Sequence, residues 1–128
     1  MNVKECYEAI HGDYEEVKRR FLTDARIRRF ALMFLTDTSM EELRAAMKEQ
    51  NCEKGFRAAH TLKGVCLNLG LTGLYEPVSS ITEMLRAGNY EQALAEMENV
   101  ERDYEVTEKG LRELAQSLAA DRTQRALT

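Results

Sequence analysis

Long apolar runs are missing from this 128-residue chain. The longest, Phe30 to Leu35, falls far short of the roughly 20 residues that cross a bilayer. No charged-then-apolar leader opens the sequence, because Lys4 and Glu5 interrupt it at once, so a cytoplasmic protein with no membrane association is expected. Basic residues are not in excess. The 18 Lys and Arg against 22 Asp and Glu give a net charge of -4, with no basic stripe that would serve nucleic acid. Alternating β-branched runs and Asn-Gly hairpin signals are also lacking, which argues against strands. Cys6, Cys52 and Cys66 are odd in number and share no metal-type spacing, so they read as reduced, mostly buried thiols. His11 and His60 are the only histidines, too few soft ligands for a zinc site.

What is present favours helices. Ala, Leu, Met, Glu, Lys and Arg dominate, and a 44% apolar content suffices for the core of one domain covering residues 1–128. A first helix is expected near Val3 to Ile10, stopped at Gly12. Asp13 and Glu16 form a capping-box pattern for a second, ending near Leu22, and Asp24 is placed to cap a third. From 30 to 47, Phe30, Met33, Met40, Leu43 and Met47 make one helical seam. This favours a single long helix over 24–50, kinked at 36–39, over a fresh start at Ser39.

Asn51 caps a helix running to Leu69 and closed by Gly70. Thr72 starts another that ends before Gly88, with Pro77 delaying its start or bending it. Asn89 and Gln92 open the last helix, whose seam is Leu94, Met97, Tyr104, Leu111 and Leu118. The polar tail at about 121–128 is expected to fray. The fold class is therefore all-α: an antiparallel four-helix bundle over about 24–118, with one or two short additional N-terminal helices.

The informative helix contains Arg57-Ala-Ala-His60-Thr-Leu-Lys63-Gly64-Val-Cys-Leu-Asn-Leu-Gly70-Leu71. At about 100° per residue, Ala58, Leu62, Val65, Cys66 and Leu69 share one face, and His60 lies almost opposite. Lys63 and Gly64 are one turn further on, and Arg57 one turn back. An exposed imidazole has a reference pKa of about 6.5 and is largely neutral at cytoplasmic pH, which leaves one nitrogen lone pair for attack on phosphorus. Lys63 can neutralise phosphoryl oxygens, and Gly64 removes a side chain that would crowd the ring. A helical glycine costs about 1 kcal/mol relative to alanine, so it calls for such a reason. Phe56, Leu67 and Leu71 lie within about 40° of His60 on the wheel. They form an apolar rim around a charged centre, with Leu67 expected at the middle of a partner contact.

His60-Thr61-Leu62-Lys63-Gly64, with Gly70-Leu71 ten residues after the histidine, resembles the signature of the histidine-containing phosphotransfer (HPt) domains. The resemblance takes in about residues 24–118. It implies a four-helix bundle in which His60 accepts a phosphoryl group, Lys63 is its electrostatic partner and Gly64 its access residue. It also implies that the group passes to or from the aspartate of a response-regulator receiver domain, with a sensor or hybrid histidine kinase upstream. Magnesium would belong to the receiver, and no cofactor is expected on this chain. Thr82 stands where some members place a glutamine that bonds the histidine. Arg86, one turn later, matches a basic residue seen in some members and would face the phosphoryl group. With no Gly-rich nucleotide loop or Walker-type lysine, the chain reads as a phosphocarrier without kinase activity of its own.

Two other readings compete. The similar segments Asn51-Cys-Glu-Lys-Gly-Phe and Asn89-Tyr-Glu-Gln-Ala-Leu suggest a helical adaptor, although two copies are few for a repeat array. A phosphotransfer-like scaffold without turnover would be expected to have lost His60.

Overall fold

The computed structural model describes the backbone of residues 1–127 and the side chains through Ser117. Its elements are α1 (Val3–Ala9), α2 (Tyr14–Phe21), α3 (Asp24–Leu32), a 3-10 turn (Met33–Thr36), α4 (Ser39–Lys48), α5 (Cys52–Leu69), α6 (Thr72–Arg86) and α7 (Tyr90–Leu127). No strand occurs among the described residues. The α3–turn–α4 segment, α5, α6 and α7 form an antiparallel four-helix bundle, with α5 packed between α4 and α6, and α6 against α7. The expected fraying at 121–128 lies outside the residues whose side chains are described.

Local chemistry sets most boundaries. Asn2 and Glu5 make a reciprocal capping box that starts α1. The Asp13 side chain accepts the Glu16 N–H at 3.1 Å, and that of Asn51 accepts the Lys54 N–H at 3.0 Å. The Gln92 N–H donates to Asn89 at 3.2 Å. Thr23 rather than Asp24 caps α3, through the Arg26 N–H, so Asp24 begins the helix instead of preceding it. Its carboxylate accepts from the Tyr14 hydroxyl at 2.6 Å and from Lys18 at 3.1 Å. Those bonds, Tyr14's first, hold Asp24 below its ordinary pKa.

A single helix over 24–50 is not what forms. The chain tightens into the 3-10 turn after Leu32 and restarts at Ser39, whose N–H donates to the Asp37 carboxylate at 2.9 Å. The break rotates the seam. Phe34 becomes fully buried and packs against Tyr104, while Met33, read as core, is 59% exposed and Phe30 stacks on Phe21 at 5.0 Å. The seam of α7 is likewise displaced by one position at its start. Ala93, Val100, Thr107, Leu111 and Leu114 are buried and Leu94 is 46% exposed. Pro77 does not delay α6, which begins at Thr72 and carries the proline buried in its second turn.

The core is one cluster drawn from every helix, including Val3, Cys6, Tyr7 and Ile10 of the N-terminal segment. Each large apolar side chain buried in it stabilises by about 1.5–3 kcal/mol. Burial pushes the Cys6 thiol up to about 11 and that of Cys66 up to about 12, so both stay protonated and unreactive near neutral pH.

Three groups from α1, α2 and the turn between them fasten the C-terminal end of α5. The Tyr7 hydroxyl donates to the Leu69 carbonyl at 2.6 Å, Arg20 to the Asn68 carbonyl at 2.7 Å, and the Asp13 N–H to the Gly70 carbonyl at 2.9 Å. These bonds take up carbonyls that a helix end leaves without intrahelical partners. They fix the direction in which α5 projects its outer face.

Candidate functional site

The outer face of α5 carries the candidate chemistry, and its inner face explains why it stays outward. Gly55, Ala58, Ala59, Leu62 and Cys66 are buried between α4 and α6, a stripe of mostly small residues that seats the helix deeply. The expected stripe members Val65 and Leu69 are half-buried at its edge. His60 is exposed, and neither of its ring nitrogens makes a hydrogen bond among the described residues. Both edges of the imidazole are therefore open to a reacting group.

Lys63 and Gly64 follow one turn on, within the spacing at which helical side chains are neighbours. Lys63 is half-buried and forms no ion pair among the described residues, so its charge is free for an incoming anion. A methyl group built on Gly64 would meet no heavy atom within 4 Å. Close helix packing does not explain this glycine, since the space beside it is solvent. Arg57, one turn before His60, is exposed and paired with Glu53 at 3.2 Å.

Phe56 and Arg86 are brought to the histidine together. The Phe56 ring stacks on the imidazole with centroids 5.6 Å apart and planes inclined by 24°. On α6, the Arg86 guanidinium lies 4.6 Å from the Phe56 ring centre and is held by Glu83 at 3.1 Å. Arg86 thus rests on the phenyl ring. Thr82 is fully buried, and its hydroxyl donates to the Val78 carbonyl at 2.6 Å, a bond within its own helix.

Of the expected apolar rim, Leu67 is 62% exposed. Leu71 is not part of it. Gly70 adopts a left-handed conformation (φ 65°), the helix ends there, and Leu71 turns inward to 1% exposure. Beyond α5 lies an apolar groove that the sequence did not reveal, lined by Phe21, Phe30, Met33, Val65 and Leu69, with Arg20 at its edge. Phe30 and Met33 belong to the seam that the spacing predicts, and the broken helix is what releases them to this surface. Residues 18–29 alongside hold six Lys and Arg against one Asp, within a chain of net charge -4.

His11 is exposed at the turn after α1, in the left-handed region (φ 57°), where it shares a surface pocket with Lys4 and Gly12 instead of lying on a helix face with a cation and a glycine one turn on. Among the described residues no group of three His, Cys, Asp or Glu side chains is placed to hold a metal ion. No helix there is long and apolar enough to cross a membrane.

The family model of the Hpt domain matches residues 16–124. Comparison with curated proteins and comparison with solved structures each find no match.

Proposed function

The chain belongs to the Hpt domain family, and on that footing we propose that it is a phosphocarrier in which His60 takes and gives a phosphoryl group. Hpt domains carry phosphoryl groups in two-component signalling and work with receiver domains and kinases rather than as kinases themselves. The observation that carries the assignment to His60 is an exposed imidazole whose nitrogens have no partner among the described residues, beside a lysine that forms no ion pair among them and an open glycine.

In the transfer, a ring nitrogen of His60 attacks the phosphorus held on a receiver aspartate. The N–P bond forms as the P–O bond to the aspartate breaks, and the carboxylate leaves with the bonding pair. The opposite ring nitrogen keeps its proton. Lys63 neutralises the equatorial oxygens, and the space over Gly64 admits the receiver's acidic pocket. Magnesium and the aspartate are the receiver's contribution, and the relay operates in the cytoplasm. Incubation with a phosphorylated receiver domain should leave acid-labile, alkali-stable phosphate on His60. Magnesium-ATP alone should leave none. Labelling by ATP in a preparation free of other kinases would overturn the carrier reading.

Two predictions arise from the site's surroundings. Gly64→Gln should raise helix stability by about 0.5–1 kcal/mol, because glycine is the poorer helix former. It should nonetheless slow transfer on the order of ten- to a hundredfold by filling the approach to the ring. Lys63→Ala should slow transfer with little effect on melting, since a surface cation contributes little to folding. A Gly64→Gln protein that transfers at the parent rate would remove the access role.

The receiver docks over Leu67, with Arg57 and Lys63 drawing its acidic pocket and the basic α2–α3 segment flanking the contact. Leu67→Asp should weaken receiver binding by about five- to thirtyfold. Its melting curve should stay within about 0.5 kcal/mol of the parent, as expected for an exposed position. Unchanged affinity by calorimetry would place the receiver elsewhere.

A further inference from the structure

We propose that Phe56 and Arg86 are positioning residues that set the plane of the His60 imidazole, a role that rests on His60 being the phosphoacceptor. The ring has no hydrogen bond to orient it among the described residues, and Thr82 on α6 is buried with its hydroxyl donating to the Val78 carbonyl. What touches the imidazole is a face. Phe56, four residues earlier on α5, lies against it at 5.6 Å and 24°, an offset-stacked arrangement within the favourable range for aromatic pairs.

Phe56 is in turn fixed from its neighbour helix. The Arg86 guanidinium sits 4.6 Å from the phenyl centre, inside the distance at which a cation is attracted to a ring. Glu83 holds that guanidinium by two contacts, at 3.1 and 3.4 Å. The order Glu83–Arg86–Phe56–His60 therefore runs from α6 to the reactive ring. The lone pair that attacks phosphorus lies in the imidazole plane. A stack on the ring face restrains that plane while leaving both ring edges free, whereas a hydrogen bond to a nitrogen occupies one edge. Arg86 thereby acts through Phe56 rather than on the phosphoryl group.

The test uses the full chain and two readouts. By NMR, the His60 ring protons should be displaced upfield from those of His11, an exposed imidazole with no aromatic partner among the described residues. Phe56→Leu, which fills the same space without a π-face, should abolish the displacement, and Phe56→Tyr should keep it. In transfer from a phosphorylated receiver, Phe56→Leu should lower the maximal rate roughly two- to tenfold with the half-saturating receiver concentration unchanged. Phe56→Tyr should restore the parent rate. Arg86→Ala, an exposed change that leaves the core alone, should move both readouts in the same direction by less.

Parent rates and unmoved resonances in Phe56→Leu would overturn the proposal. So would a loss confined to the half-saturating concentration, which would make Phe56 a docking residue. If the resonances move but the parent protein takes no phosphate on His60, the phosphocarrier reading falls and the stack loses its role in transfer. If the parent takes phosphate and the resonances never moved, the stack alone falls.

Discussion

His60→Gln should abolish phosphate uptake from a phosphorylated receiver while leaving the helical circular dichroism spectrum unchanged. Glutamine has no lone pair of comparable nucleophilicity, so the loss should be complete rather than partial. The fold should survive because the ring is exposed and bonded to nothing among the described residues except by its stack on Phe56. Losing that stack limits the stability cost to about 1.5 kcal/mol. His11→Gln provides the control, and it should label at the parent level. Labelling of His60→Gln, or failure of His11→Gln, would move the acceptor away from α5.

Gly70→Ala should be the most destabilising small substitution near the site, and for a reason unrelated to chemistry. The residue stands in the left-handed region at φ 65°, which costs an alanine about 1–2 kcal/mol. A Cβ there would also lie 2.5 Å from Val17 Cγ1, a side chain that is itself fully buried and has nowhere to go. Overpacking of this kind adds about 1–3 kcal/mol. Together they predict a loss of roughly 2–5 kcal/mol, a fall in melting temperature on the order of 10 °C. Gly88→Ala separates the two contributions, because Gly88 has φ 72° but open space around it. Equal costs at the two positions, measured by thermal or denaturant unfolding, would show that the Val17 contact contributes nothing. At temperatures where Gly70→Ala is folded it should still accept phosphate, since His60 does not touch the turn.

The helix that carries His60 was legible in the sequence because its determinants are local. Asn51 and Gly70 bound it through their own backbone chemistry, and Ala58, Leu62 and Cys66 mark its inner face by spacing alone. The same wheel failed one residue past its limit. It continued the rotation through Gly70 and placed Leu71 beside His60, where the left-handed residue instead sends it into the core. The seam from Phe30 to Met47 misled for a related reason. Its apolar spacing suits one long helix, but Asp37 taking the Ser39 N–H and Phe34 packing on Tyr104 favour a break. Neither is visible to a count of apolar residues, because one is a loop hydrogen bond and the other a contact across 70 positions (104 − 34). Phe56 beside His60 is a neighbour on one helix and the wheel places it there, but the Arg86 guanidinium on the Phe56 ring was out of reach for the same cause, since it joins side chains of two helices.

The N-terminal segment has a meaning for how the chain folds. Neighbouring bundle helices are joined by short connections, so α4 through α7 can zip together by contacts that are near in sequence. The first helix cannot. Its Cys6 thiol donates to the Gly110 carbonyl and the Met1 amino group to the Ser117 hydroxyl, across separations of 104 and 116 residues. Contacts that enclose so much chain carry the largest loop-closure entropy and form only when little else is left to order. Residues 1–15 precede the stretch matched by the family model, yet Val3, Cys6, Tyr7 and Ile10 are buried to within 2%. The segment outside the family match therefore ties the two ends of the chain together, through contacts that enclose nearly all of it, and lays the start of the chain alongside α7.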